Sequence, residues 1–315
     1  MLPFFAQRLG HAVAVMFGVA SLVFALLHVS GDPLSGLVPP GSSPEQQDVL
    51  RQRYGLDASI GEQYLRFLGR AVTGDFGESW AERRPALGAV FERLPATLSL
   101  AGVALVLALA IGIPLGIAAG ARPDGVVDLL ATGFALLGQA LPGFWLGTLL
   151  IIVFAVRLKW LPSSGGEGVD SLLLPALTLA AYPAATITRL LRASLIETLR
   201  RDFIRTAEGK GLSRREVVRR HALKNAALPT LAFVGLQAGF LLGGAVVVEA
   251  VFAYPGVGRL AIEAANDRDI PLVQAFVVVL AALIVGINLL VDLLARWFDP
   301  RIRFSGGFGR NVGRG

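Results

Sequence analysis

Polar and apolar positions are segregated along the chain rather than interleaved. From one charged residue to the next, six mostly apolar stretches reach 18 residues or more: 9–31, 94–121, 129–156, 171–188, 225–248 and 270–291. An α-helix needs about 20 apolar residues to cross a bilayer, and spanning backbone must satisfy its own hydrogen bonds. Buried strands of an α/β sheet also give apolar runs, but shorter ones that alternate with charged amphipathic helices. The pattern therefore predicts an all-α polytopic membrane protein with six transmembrane helices, at 9–29, 94–121, 129–156, 171–188, 225–248 and 270–295. The fourth is the least regular, with Pro175, Tyr182 and Pro183 inside it. The first, preceded by Arg8, resembles a secretory signal. Its apolar run exceeds a usual signal core and Val29-Ser30-Gly31 offers no small-x-small cleavage site, so an uncleaved helix is expected.

Composition agrees with this reading. Of 315 residues, 54% are apolar and 17% charged, where a soluble domain carries about a quarter; mean hydropathy is +0.63. An ordinary soluble enzyme is excluded. No cysteine occurs, which excludes disulfides and thiolate metal sites.

Charge sets the expected orientation. Segment 189–224 carries eleven positive and four negative residues, and the tail 296–315 five against one. Lys and Arg accumulate on the cytoplasmic side, so both segments are placed there, together with 1–8. Both termini are then cytoplasmic. The 30–93 segment, with seven positive against nine negative residues, and the 249–269 loop, with two against four, face outward. Segment 122–128 is net negative, but acidic residues count little in this rule. Within 30–93, Ser43-Pro44-Glu45-Gln46 forms a capping box that opens a helix to about Tyr54. Gly61–Thr73 gives a second helix with Tyr64, Phe67, Leu68 and Val72 on one side, and Pro85–Arg93 leads into the second span.

The cytoplasmic segment 189–224 is the most informative. Apolar residues at helical spacing, including Leu191, Leu195, Leu199 and Phe203, predict a helix over 189–208. Gly209 and Gly211 interrupt it, with Gly211 suited to a left-handed C′ position and Leu212 to the contact that follows. Ser213-Arg214-Arg215-Glu216 is a capping box that starts a second helix, and Pro229 falls just inside the next span. A basic helix–turn–helix can in principle bind DNA, but two membrane anchors and Glu208 and Glu216 near the turn argue against it. A basic surface can also hold anionic lipid. A docking element for a cytoplasmic protein is favoured, because so firmly capped a turn presents a fixed shape.

These residues carry a resemblance. Arg205-Thr206-Ala207-Glu208-Gly209-Lys210-Gly211-Leu212 followed by His221-Ala222-Leu223-Lys224-Asn225-Ala226-Ala227-Leu228-Pro229 resembles the coupling-loop signature of ABC importer permeases. Thr206-Ala207-Glu208 stands in the position of that family's EAA patch, with departures at Thr206 and Glu208; Gly211 matches its glycine and Leu228-Pro229 ends the motif. Gly18–Phe24 with Gly31-Asp32-Pro33, Tyr54-Gly55-Leu56-Asp57, Gly74-Asp75-Phe76-Gly77-Glu78-Ser79, Glu92–Thr97, Phe252–Leu260, Arg268-Asp269, Gln274, Asn288-Leu289 and Asp299-Pro300-Arg301 are similar to the first of the two dipeptide/oligopeptide permeases. The similarity covers about residues 8–304. It implies a type I ABC importer permease fold with its core at 94–295. The partners it implies are a second homologous permease, two cytoplasmic ABC ATPases and an extracytoplasmic solute-binding protein in the bacterial inner membrane, with no nucleic acid. Di- and oligopeptides lead as substrates, with nickel chelates, glutathione and oligosaccharides as alternatives. A stand-alone secondary transporter or channel, or a membrane scaffold, are the competing classes.

No Walker A motif occurs: Gly209-Lys210-Gly211 lacks the preceding glycine, and no Ser or Thr follows Lys210. The chain is expected to bind no cofactor, with ATP used by partner subunits. His28, Gln139, Gln237 and Asn288 lie in or near spans and are open to two readings, helix bridging or pathway lining. Asp292 and Arg296 form an expected intrahelical pair. Pro114, Pro142 and Pro175 mark candidate bends, and Gly112, Gly116 and Gly120 a tight helix contact. Trp160 and Trp297 fit interfacial anchors. Three scattered histidines give neither a metal nor a catalytic constellation, so no such site is expected.

Overall fold

The computed structural model describes residues 2–29, 43–164 and 168–298. The Gly31-Asp32-Pro33 and Asp299-Pro300-Arg301 motifs lie outside the described residues, as do the side chains of Asp292, Arg296 and Trp297. In order, the elements are α1 (Leu2–Val29), α2 (Pro44–Tyr54), α3 (Ile60–Thr73), α4 (Ala86–Ala121), α5 (Val126–Ala140), α6 (Gly143–Leu150, continued as a π-helical stretch Ile151–Arg157) and α7 (Val169–Leu199). They continue with α8 (Asp202–Gly209), α9 (Arg214–Glu216, continued as a π-helical stretch Val217–Ala222), α10 (Leu223–Val251), α11 (Val257–Asn266) and α12 (Ile270–Phe298). Among the described residues, α1, α4, α7 and α12 are each long and apolar enough to cross a membrane; two bent pairs, within 126–157 and 214–251, raise the number to six if each is one span.

The 129–156 stretch, expected as one span, is not a straight helix. Its two halves meet at 109°. Leu141 (φ −80°, ψ 127°) and Pro142 (φ −61°, ψ 135°) are both extended between α5 and α6. Proline disfavours helical backbone in the residue before it and lacks the N–H to continue the ladder. Pro114 and Pro175 sit inside unbroken α4 and α7.

The centre of the molecule is the α4–α7 pair. A Cβ on Gly112 would stand 2.8 Å from the Ala184 carbonyl oxygen, one on Gly116 2.9 Å from Leu191 Cβ, and one on Gly120 3.0 Å from the Arg192 carbonyl oxygen. The two backbones approach as closely as glycine allows over two turns of α4. Lipid tails are as apolar as leucine, so burial alone does not pair helices in a membrane; close van der Waals contact does. Gly138 on α5 meets Ala181 and Ala185 on the next face of α7 in the same way.

Three apolar clusters stack along this axis. The central one joins Leu100, Ala104 and Ala108 of α4 to Leu174 and Ile187 of α7 and Leu241 of α10. At one end, Phe24 of α1, Phe67 of α3, Ala89 of α4, Leu260 of α11 and Leu272 of α12 form the second. There α3 lies on α1: Phe24 stacks on Phe67 at 5.7 Å, Ser21 and the Tyr64 hydroxyl are 2.6 Å apart, and His28 Nε2 lies 3.2 Å from Gln63 Oε1. His28 is thus a bridge between helices. The third cluster, at the basic end, gathers Leu195 of α7, Ile204 and Ala207 of α8, and Val217 and Ala222 after α9.

The cap signals near the N-terminus have their structural counterparts. Ser43 and Gln46 make a reciprocal capping box on α2. α3 is capped by Ser59 and ends on left-handed Gly74.

The glycine seam generates a direct test. Gly112→Val inserts side-chain atoms against backbone that has no room to yield, and overpacking of this kind costs about 1–3 kcal/mol. The variant is expected to melt at lower temperature in detergent. Gly102→Val, on the same helix with open space around it, should melt like the parent. Equal melting temperatures for Gly112→Val and the parent would show that the seam is looser than described.

Candidate functional site

The segment after α7 folds as a helix, a tight turn and a helix, but not with the expected register. α7 stops at Leu199, Arg201 is extended (φ −76°, ψ 151°), and α8 restarts at Asp202. The single helix expected over 189–208 is therefore two. The break rephases the apolar stripe: Leu191 and Leu195 face inward from α7, whereas Ile204 and Ala207 do so from α8. Phe203, which continuous spacing would bury, is left 41% exposed.

Gly211 lies in the left-handed region (φ 83°) and its N–H donates to the Glu208 carbonyl at 2.9 Å. A side chain there is strained although nothing crowds it. Ser213 Oγ accepts from the Glu216 N–H and opens α9. Arg214 and Glu208 pair at 2.9 Å across the turn. Both are well exposed, so the pair orients the turn more than it stabilises it. Arg205, Thr206, Glu208, Gly209, Lys210 and Gly211 are exposed, Leu212 is half-buried and Ala207 is buried. Leu228 and Pro229 are not at the turn. They lie on α10, about 20 Å further along a continuous helical path, with Leu228 exposed. The loop rests on the apolar cluster it shares with the ends of α4 and α7, so it is tied to the membrane bundle through packed side chains rather than through a flexible hinge.

Two cavities share Tyr182, the first between α5, α6, α7 and α10 and the second between α5 and α7. One, of about 350 Å³, is apolar, lined by Leu141, Phe144, Phe240 and Val247 among others. The second, of about 500 Å³, is the more polar of the two, about half of its lining being polar, with Thr132, Gln139, Thr186, Arg189 and Arg192 in its wall. Gln139 Nε2 donates to Thr186 Oγ1 at 3.0 Å and its carbonyl oxygen accepts from Arg189, so it both bridges helices and lines a cavity. Asn288 is exposed, with its side chain against Gly239. Gln237 is buried, and its Nε2 has no hydrogen-bond partner among the described residues. Asp128, buried at the start of α5, is held by Arg192 Nη2 at 2.7 Å and by Arg192 Nε.

Comparison with known proteins decides what this arrangement belongs to. Residues 112–304 match the family described as "Binding-protein-dependent transport system inner membrane component", and residues 1–101 match its N-terminal companion. The chain belongs to this family. It is a permease subunit of an ABC importer, a multi-pass protein of the bacterial inner membrane. It is 39% identical to the glutathione transport system permease protein GsiC of Escherichia coli K12, over 97% of this chain and 100% of that one. It is 38% identical to the dipeptide transport system permease protein DppB of the same strain, over 96% and 99%. Its fold is similar to that of an inward-facing MetNI methionine ABC transporter (TM-score 0.53, 20% identity, 66% of this chain and 95% of that one). A crystallised amino acid ABC transporter gives TM-score 0.51 at 16% identity, over 68% and 94%.

As a permease of this family, the chain works beside a second permease, ATPase subunits and a solute-binding protein, and is itself non-catalytic. Two buried acids lie at the end of the bundle remote from the loop: Glu249, which the sequence did not single out, and Asp269, noted there only as part of the Arg268-Asp269 resemblance. Glu249, fully buried, accepts from Thr97 Oγ1 at 2.6 Å and from the N–H groups of Gly258 (2.6 Å) and Arg259 (3.1 Å). Thr97 in turn accepts from the Val257 N–H at 2.9 Å. The first N–H groups of α11, which have no partner within their own helix, are thus satisfied by side chains of α4 and α10. Gly256 and Gly258 leave room for this: a Cβ on Gly256 would lie 2.2 Å from the Glu249 carboxyl carbon. Asp269 caps α12 through Leu272 N–H (3.1 Å) and also accepts from Ser79 Oγ (2.5 Å) and Ala81 N–H (3.0 Å). The segment 249–269, expected as a loop, in consequence holds the end of α10 and the helix α11, which buries one face through Val257, Leu260, Ala261 and Ala264. A signal was available in Glu249 itself, an acid close behind a long apolar run and followed by Pro255-Gly256-Val257-Gly258.

Removing the Glu249 carboxyl leaves two buried donors, Thr97 Oγ1 and the Gly258 N–H, unpaired at about 1–3 kcal/mol each, and the part-buried Arg259 N–H besides. Glu249→Ala is expected to lose most of its folded yield in membranes and to melt well below the parent in detergent. A parent-like melt would mean that α11 is held by something else.

Proposed function

We propose that this permease forms one side of a pathway that admits a peptide-type solute, and that the 200–222 helix–turn–helix receives the ATPase stroke which drives it. The observation that carries the reading is the turn at Gly211: exposed, left-handed, capped on both sides and seated on apolar packing continuous with α4 and α7. A partner that changes shape with nucleotide can move a membrane bundle only through a stiff contact, and the capping and apolar seating of this turn support that reading. Arg205, Thr206, Ala207, Glu208, Gly209, Lys210, Gly211 and Leu212 form the contact region, and Phe203 adds an exposed apolar side chain beside it. Eleven basic residues in 189–224 favour a cytoplasmic position for this end. Leu228 and Pro229, grouped with the loop by the resemblance, lie beyond it on α10.

The solute class is supported by the relatives, which are permeases for a dipeptide and for glutathione, itself a tripeptide. Di- and oligopeptides are the preferred members of the class.

Gly211→Val forces a β-branched residue into a backbone state that costs an L-residue about 1–2 kcal/mol or more. Membrane insertion should be unchanged, while ATPase co-purification and ATP-coupled uptake fall severely; Gly211→Asn, which tolerates this backbone better, should retain more of both. Parent-like association and uptake in Gly211→Val would remove the turn from the coupling role. For the solute, a ligand screen on the cognate binding protein is expected to return short peptides. Tight binding of a metal chelate with no peptide binding would contradict the assignment.

A further inference from the structure

α7 carries two arginines one turn apart in contrasting surroundings. Arg192 is neutralised by the buried Asp128 carboxylate. Arg189 is exposed in the wall of the polar cavity and donates to the Gln139 amide oxygen. No carboxylate of the described residues lies within ion-pair distance of it. A guanidinium stays protonated and has five N–H donors in a planar fork that matches a carboxylate. Arg189 is the first residue after the fourth apolar stretch, so it stands at the cytoplasmic end of that span.

Its position is held from the opposite side. Gln139 has both ends of its amide engaged, one by Arg189 and one by Thr186, whose hydroxyl donates to the Tyr182 carbonyl at 3.0 Å. Helical side chains lean toward the N-terminus of their helix, so Arg189 reaches back along α7 toward Thr186 and the α5–α6 break. Tyr182 lines both the polar cavity and the apolar one. Both volumes fall within the roughly 300–1,000 Å³ range of small-molecule sites. A compartment with one unneutralised cation, beside a compartment lined by aromatic and aliphatic side chains, matches a solute with a carboxylate at one end and apolar side chains next to it.

We propose that Arg189, positioned by Gln139 and Thr186, is a carboxylate-binding station on the solute pathway, with the neighbouring apolar cavity taking a side chain of the same peptide. The assignment rests on the peptide-import reading given above.

The test uses the complete importer in nanodiscs of zwitterionic lipid and in proteoliposomes. The chain has no cysteine, so Ala193→Cys, in the wall of the same cavity, is a clean reporter on this subunit. An anionic methanethiosulfonate is expected to modify it about tenfold faster than a cationic one, as a charged cleft concentrates the opposite charge. Arg189→Gln should bring the two rates together and Arg189→Lys should keep them apart. In liposomes, ATP-driven uptake of alanyl-phenylalanine should fall about tenfold or more in Arg189→Gln, the magnitude of a lost charge-assisted hydrogen bond, and less in Arg189→Lys. Equal anionic and cationic rates in the Arg189 complex would show that a partner carboxylate neutralises the arginine, and would overturn the proposal whether or not the variants assemble. Undiminished dipeptide uptake in Arg189→Gln would overturn it too. Absence of dipeptide uptake in the unmodified complex would instead contradict the peptide reading, and the charge selectivity at Ala193→Cys would then decide the anion site alone.

Discussion

The close approach of the α4 and α7 backbones is the constraint on which the rest of this permease depends. A membrane removes the hydrophobic drive for helices to pair, and leaves contact distance as the quantity that matters. Gly112, Gly116 and Gly120 give that contact its shortest form, against Ala184, Thr188, Leu191 and Arg192. α4 is about 54 Å long, well beyond the roughly 30 Å apolar thickness of a bilayer. Its start packs with α1, α11 and α12, and its end with α7, α8 and the helix after α9. One stiff rod therefore touches all three apolar clusters.

In this geometry a loop at one end rests on the same helices that reach the other end. The helix–turn–helix around Gly211 rests on the ends of α4 and α7, so a force on the turn is delivered to the seam. Along α7 the same seam presents Thr186 and Arg189 to the polar cavity and Tyr182 to both cavities. At the far end, Thr97 of α4 reaches Glu249 and the N-terminus of α11. Loop, cavities and buried carboxyl network thus each include residues of this one element pair.

Much of this was legible in the sequence because the features are local. Uncharged runs mark the helices, Ser43 and Ser213 mark helix starts, and Gly211 marks a left-handed turn, each within a few residues. The repeat of glycine every fourth position identified the seam, though not its partner. What escaped is either a matter of phase or of distance along the chain. The break at Arg200-Arg201 leaves no strong punctuation, yet it swaps Phe203 for Ile204 on the buried face. Three prolines were equal candidates for bends; only Pro142 sits at one, between two short helices, while Pro114 and Pro175 are absorbed inside long helices. Glu249 and Asp269 look like ordinary charges of a loop until Thr97 and Ser79, more than 150 residues away in sequence, are placed against them.

The central claim is that the turn, α7 and α4 move as one body. Spin labels at Arg215→Cys, on the exposed surface after the turn, and Val106→Cys, on the exposed face of α4, report on it directly in a reconstituted importer that retains ATP-driven uptake. Electron–electron resonance distances are taken with and without ATP, together with the distance from Arg215→Cys to a label on the second permease. The account predicts that the distance within this chain keeps the same distribution while the distance between permeases shifts. A shift within the chain as large as that between the subunits would contradict it, because the turn would then move without carrying the seam.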